Sequence, residues 1–557
     1  MKFWRINVIL FLVLLFGAAV IGRLVYIQIL DHDFYKALAQ GQQKFFAEIE
    51  GERGEIYLQD RKGDLYPLAV NKDWQMVYVS PSEVKEKEEV SQKLAEILGL
   101  EQELVLEKLN QEDTFFQMLK NKLSEEEMSQ LKELEIKGVY LKEFLGRYYP
   151  QELLASQVVG FLGGQGIGQY GLEGYYDSTL RGEEEFQEGG RNAWIDLFLT
   201  SRDEPQKGSD IILTIDYHIQ SMAEKLLRDT KESLDIESGQ IIVIEPFSGK
   251  ILAMANLPGF NPNYYFQEQE EDFQNSAIYW LFEPGSIFKA ITISAGLDLG
   301  KITPQTTYID EGLVEISDYT IYNYNKMVWG EKTMTEVLEK SINTGAVFVG
   351  EQIGYEDFLK YIEKFGIFQP TGIDLQEESF SQNKELKKGY EINYATASYG
   401  QGIELTPIQI ARAYCAIING GKLIKPYVVQ KISNGNKWIE NEPEVNETHI
   451  ISSSTSSNAT AMLVSVVEHG YAKTARVPGY YIGGKTGTAQ VPEKGVYSLD
   501  KTWQTFIGFA PAFEPKFLIL VKLDNPKTKT AEYSAVPVFQ ELAKYIIDYY
   551  EIPPDYE

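Results

Sequence analysis

The placement of strand-like runs most constrains how this chain can fold. Gln240-Ile241-Ile242-Val243-Ile244 and Ile251-Leu252-Ala253-Met254-Ala255 flank a Ser248-Gly249-Lys250 turn and read as a β-hairpin. Later strands are expected far along the chain, at Tyr481-Ile482 through Thr488, at Phe506–Phe509 and at Phe517–Lys522. Helical patterns fill the stretch between, and a helix near Val536–Tyr550 closes the chain. Sheet at both ends with helices between predicts an α+β module: a central antiparallel sheet carrying helices on its faces. This module opens with strand-like Ile211–Ile215 and a helix from about Ile219.

At 557 residues the chain is too long for one ordinary domain. A polar segment, Ser201–Ser209, separates residues 207–557 from an earlier module at 31–206. There Glu48-Ile49-Glu50 and Gln75–Val79 alternate as strands do, and two amphipathic helices are expected around Leu94–Leu98 and Leu104–Leu106. Gly163-Gly164-Gln165-Gly166-Ile167-Gly168 lacks the lysine-serine ending of a phosphate loop and reads as a turn. Residues 1–5 carry Lys2 and Arg5, and an apolar run from Ile6 to Gly22 continues as an apolar helix to residue 30. At about 1.5 Å per residue that run reaches the length of a membrane span. The basic flank predicts a cytoplasmic tail at 1–5, a single-pass anchor with a juxtamembrane helix at 6–30, and an extracytoplasmic remainder. The rival is a cleaved signal peptide, with Gly17 and Ala19 as small residues of a cleavage site.

A net charge of -29 argues against nucleic acid, which requires a basic footprint. The single cysteine, Cys415, excludes an intrachain disulfide and a cysteine-based zinc site, and its apolar helical surroundings predict burial. None of the four histidines, His32, His218, His449 and His469, stands beside a serine motif or in metal-ligand spacing.

Chemistry concentrates in three ordered motifs: Ser286-Ile287-Phe288-Lys289, Ser341-Ile342-Asn343 and Lys485-Thr486-Gly487-Thr488. A serine three residues before a lysine is cheap. Ser82/Lys85, Ser129/Lys132, Ser381/Lys384 and Ser498/Lys501 share that spacing and read as polar surface pairs. Ser286 differs in following Glu283-Pro284-Gly285 and opening an apolar, helix-compatible run. Lysine-threonine-glycine occurs once. Ser286 and Lys289, one turn apart, project on one helix face, and a lysine made neutral by burial activates a serine without a histidine.

With these motifs the chain resembles a class B penicillin-binding protein, a monofunctional peptidoglycan D,D-transpeptidase. Leu213-Thr214-Ile215-Asp216, Glu245-Pro246, Tyr399-Gly400-Gln401-Gly402 and Thr406-Pro407 match the family's catalytic domain, and Arg53-Gly54-Glu55-Ile56-Tyr57 and Gly171-Leu172-Glu173 its pedestal, or dimerisation-type, domain. Phe282–Ser286, Thr371–Leu375 and Lys485–Gln490 look most like the septal, FtsI-type branch, while Lys340-Ser341 and Gln376-Glu377-Glu378 depart from the usual pattern.

The resemblance implies Ser286 as nucleophile, Lys289 as base, Ser341 as proton relay, Asn343 as a substrate and Lys289 contact, and Lys485 as a positive charge near the relay. Thr486 and Thr488 would bind the substrate carboxylate, and Gly487 would let substrate lie along the strand. The N–H groups of Ser286 and Thr488 would form the oxyanion hole. It implies no metal or cofactor. It also implies D-alanyl-D-alanine stem peptides as donors, an amine acceptor, β-lactams as inhibitors, and a membrane glycosyltransferase of the FtsW type among divisome partners. Rival readings are an elongation-type or sporulation-type enzyme, a D-alanyl carboxypeptidase or β-lactamase, a β-lactam sensor, and an idle divisome scaffold.

Overall fold

The computed structural model describes residues 52–111, 114, 116–164, 166–181, 207–435, 437–493 and 496–556, together with 14–17 and 20. Nearly all of the expected anchor and the Glu48–Glu50 strand lie outside these residues. Among the described residues no helix is long and apolar enough to cross a membrane.

The chain divides into two compact units. The smaller comprises residues 1–53, 71–148 and 181–208. In it the helices Lys87–Leu98 and Gln102–Leu109 fall where two amphipathic stretches were expected. A third, Glu125–Leu134, starts with a capping box between Ser124 and Glu127. These helices share a core of Val77, Val79, Leu94, Leu98, Val105, Leu109 and Leu131. Leu104 instead faces solvent, because Val105 and Leu109, four apart, define the buried stripe.

The larger unit takes residues 54–70, 149–180 and 209–557. The segments 54–70 and 149–180, grouped with the pedestal on sequence, thus cluster with the catalytic motifs. For 54–70 the reason is pairing: Ile56–Gln59 lies parallel to Ile211–Asp216, which also pairs with Val429–Asn434; 149–180 is tied in by hydrogen bonds such as Tyr149 N–H to Asn263 Oδ1 and Ala155 N–H to Glu224 Oε1. The glycine-rich 163–168 segment links the short paired strands Phe161–Leu162 and Gly168–Gln169, as a turn should.

The central sheet has five strands: β1 (Ser238–Ile244), β2 (Ile251–Leu257), β3 (Gly483–Glu493), β4 (Val496–Ala510) and β5 (Phe517–Asp524). Their order is β3-β4-β5-β1-β2, with every neighbour antiparallel. Every residue of β1 and β5 is buried, which explains their continuous apolar runs. Phe506 packs on Phe539 of the C-terminal helix Ala535–Tyr550, while its neighbour Thr505 lies beside Gly487. Alternation along β4 therefore puts that helix and the motif region on opposite faces. On the motif side stand α1 (Lys289–Asp298), α2 (Asn343–Ile353), α3 (Pro407–Ile418) and α4 (Ser453–His469). From Lys289 to Gly296 every residue of α1 is buried, as in a helix enclosed on all sides. Cys415 is buried in α3, as its surroundings predicted.

Candidate active site

Ser286 lies not in α1 but in the 3₁₀ turn Gly285–Phe288 that leads into it. With three residues per turn, positions i and i+3 eclipse, so Ser286 and Lys289 are superposed more closely than an α-helix would allow. Lys289 Nζ is 3.0 Å from Ser286 Oγ. The turn is held by other elements: Gly285 N–H donates to Gly400 O at 2.9 Å, and the Tyr414 hydroxyl donates to Ile287 O at 2.6 Å.

The second motif closes over the lysine. Lys289 Nζ donates to Ser341 O at 2.6 Å and Asn343 Oδ1 at 2.7 Å, and lies 3.3 Å from Ser341 Oγ. From the third motif, Lys485 Nζ donates to Ser341 Oγ at 3.0 Å and to Thr486 O at 3.0 Å. Ser341 Oγ thus bridges the two amines. It reaches this place with a left-handed backbone, φ +54°, an uncommon conformation for a serine and a form of strain concentrated at functional sites.

Lys289 is 0% exposed and Lys485 1%. Burial holds Lys289 well below the ordinary lysine pKa, and the nearby Lys485 charge pushes the same way. Burial alone brings Lys485 down to about 7. A neutral amine 3.0 Å from a hydroxyl is a general base in hydrogen-bond reach of its proton.

β3 is an edge strand, so its outer backbone groups are open to an added peptide strand. Thr486 O, bonded to Lys485 Nζ, points away from β4. In an antiparallel ladder outward groups recur every second residue, which turns Thr488 N–H and C=O the same way. Thr486 and Thr488 share one face and are half-buried, whereas Lys485 and Gly487 are buried on the other. The Thr488 hydroxyl also accepts from Ala531 N–H at 3.4 Å.

Gly487 also answers a packing need within the protein. A Cβ there would lie 2.3 Å from Thr505 Oγ1, 3.0 Å from Pro284 O and 3.1 Å from Ile287 Cγ2. The glycine therefore lets the serine turn pack against β3.

On sequence Glu283 stands only as context before Ser286, and its chemistry is not apparent there. Its buried carboxylate accepts from the Tyr497 hydroxyl at 3.2 and 3.1 Å, joining the residues just before Ser286 to β4. Burial raises the Glu283 pKa. A groove of about 600 Å³ opens beside it, lined by Leu281, Phe380, Asn383, Gly402 and Glu404 among others. His218 packs among Tyr66, Tyr217 and Tyr549, far from any role as a base for Ser286. Among the described residues no group of histidine, cysteine and carboxylate side chains could hold a metal ion.

A nucleophile-lysine pair at the mouth of a helix, a serine bridging two lysines and an edge strand with a lysine-threonine-glycine run define a serine acyltransferase of the penicillin-interacting type. Residues 239–544 match the penicillin-binding protein transpeptidase domain, and residues 48–213 the penicillin-binding protein dimerisation domain. Stage V sporulation protein D of Bacillus subtilis is 34% identical over 93% of this chain and 82% of its own. The FtsI homolog of Mesostigma viride, a peptidoglycan D,D-transpeptidase by name, is 29% identical over 98% and 96%. The crystal structure of penicillin-binding protein 3 from Mycobacterium tuberculosis with aztreonam shares 25% identity and a TM-score of 0.70, covering 91% of this chain and 97% of that one. The chain belongs to the class B penicillin-binding proteins and is a serine-type peptidoglycan D,D-transpeptidase.

Proposed function

We propose that the enzyme cross-links stem peptides through an acyl intermediate on Ser286. The observation that carries this reading is the 3.0 Å approach of the fully buried Lys289 amine to Ser286 Oγ. Lys289 takes the serine proton as Oγ attacks the carbonyl of the penultimate D-alanine. The C–N bond breaks, and Lys289 returns the proton to the departing D-alanine through Ser341. An acceptor amine then attacks the ester carbonyl. A new C–N bond forms, the C–Oγ bond breaks, and the proton lost by nitrogen returns to Ser286. Asn343 holds Lys289 and the substrate backbone. Thr486 and Thr488 bind the terminal carboxylate under the positive potential of Lys485. Ser286 and Thr488 N–H groups stabilise the oxyanion, each such donor contributing about 2.7–4 kcal/mol. A β-lactam would acylate the same oxygen.

The test is a D-alanyl-D-alanine donor peptide incubated with an amine acceptor, with products read by mass. Cross-linked product in excess of hydrolysed donor supports transpeptidation. Hydrolysis alone, at any acceptor concentration, refutes it in favour of a carboxypeptidase.

This assignment of roles also fixes a pH dependence. Lys289 must be neutral, so acylation rises with pH through its depressed pKa. Lys485 must be charged, and its pKa of about 7 makes the second-order rate constant fall again above that pH. Arginine keeps its charge throughout. Lys485→Arg should lower the maximum and remove the alkaline limb, as rapid-mixing acylation by a penicillin across pH would show.

In the cell the reading is septal cross-linking by a single-pass membrane protein with its catalytic unit outside, working with a glycosyltransferase of the FtsW type. Similarity to Stage V sporulation protein D supports a second role, in sporulation. Filamentation on depletion favours the first; normal division with defective spores favours the second.

A further inference from the structure

Helix α2 begins at Asn343 with Ile342 as its N-cap, and isoleucine has no side-chain oxygen for the free N–H groups of a first turn. Two of those groups are met from elsewhere. Asn323 Oδ1 accepts from Asn343 N–H at 3.0 Å and from Thr344 N–H at 3.2 Å, so the cap comes from 20 residues upstream.

The orientation of that amide is dictated by its other end. Asn323 Nδ2 donates to both Asp310 oxygens, at 2.9 and 3.0 Å, and to Met327 O at 3.1 Å, which leaves Oδ1 facing the helix. Asp310 is 2% exposed and Asn323 4%. The carboxylate accepts further from Gly312 N–H at 3.1 Å, Trp329 N–H at 2.8 Å and the Thr344 hydroxyl at 2.6 Å. A buried carboxylate with this many donors is a rigid anchor. Asn343 rests on the same segment through its side chain, Nδ2 donating to Tyr322 O at 3.0 Å while Oδ1 accepts from Lys289.

We propose that Asn323, oriented by Asp310, is a positioning residue for acyl transfer. It fixes the start of α2, and with it Ser341 and Asn343, around the Lys289 amine. The inference rests on the acyl-serine reading above. No step passes through Asn323 or Asp310. Their work is to hold the left-handed Ser341 and the Asn343 amide where the lysine needs them, and displacement of such groups by about 1 Å can cost 100-fold in rate.

The test is penicillin acylation of the full chain, separating the noncovalent dissociation constant from the first-order acylation constant. Asn323→Ala should lower the acylation constant about tenfold or more, with the dissociation constant within about twofold of wild type. Asp310→Asn keeps the volume but offers the Asn323 amide a donor as well as an acceptor, and should slow acylation in the same step. If Asp310 acts through Asn323, its effect shrinks to within about twofold in the Asn323→Ala background. A fall in melting temperature with an unchanged acylation constant overturns the proposal, as does full independence of the two substitutions. Should Asn323→Ala not fold, Asp310→Asn alone decides: an unaltered acylation constant overturns the proposal. A folded wild type that is never acylated would instead overturn the acyl-serine reading, and this inference with it.

Discussion

Lys289→Met is expected to cut penicillin acylation by about 100- to 10,000-fold, the range associated with losing a positioned general base. Methionine matches the length of the lysine stem and carries no proton acceptor. The substitution also removes a titration. The folded-state pKa of Lys289 is far below the unfolded value near 10.5, so between the two the unfolded chain binds the extra proton. Stability therefore rises with pH across that window, and the deficit is gone above the unfolded pKa. Urea titrations at neutral pH and near pH 10 should show wild type gaining on the variant as pH rises. A rate within tenfold of wild type would mean that another group takes the serine proton.

Gly400→Ala should be the most damaging small substitution near the site. Gly400 has φ +85°, and a Cβ there would lie 2.1 Å from Gly285 O and 2.7 Å from its carbonyl carbon. These are backbone atoms of the serine turn, tied to Gly400 by the hydrogen bond from Gly285 N–H, so neither side can yield without moving Ser286. Strain and overpacking together should cost about 3 kcal/mol or more, with acylation lost in whatever fraction folds. Gly402→Ala is the control. It shares a positive φ, +68°, but its Cβ meets only Thr396 Oγ1 at 3.2 Å, the end of a side chain. Its cost should stay near the left-handed penalty of about 1–2 kcal/mol. Equal costs in urea unfolding would show that the close approach at Gly285 does not govern this turn.

Much of this site was legible because its chemistry is local. Ser286 and Lys289 are three apart, and Lys485–Thr488 is one run on one strand. The hairpin at 240–255 and the strands after 480 announced themselves through apolar runs and turn residues. Composition and spacing were blind to what space alone brings together. Nothing near Asn323 or Asp310 marks them as the cap and anchor of a helix that starts at residue 343. Glu283 read as turn context because Tyr497, its partner, lies 214 residues on. That Thr505 and the serine turn also crowd Gly487 cannot be seen from the strand alone. Ile56–Gln59 was grouped with its sequence neighbours for a similar reason: parallel pairing with Ile211–Asp216 leaves no local mark.

An acyl intermediate on Ser286 is checked by labelling the protein with a fluorescent penicillin and mapping the modified peptide by mass. One stable adduct is expected on the peptide containing Ser286, absent in a Ser286→Ala variant that melts like wild type. A folded wild type that takes no label, or a label that maps to another residue and survives in Ser286→Ala, would contradict it.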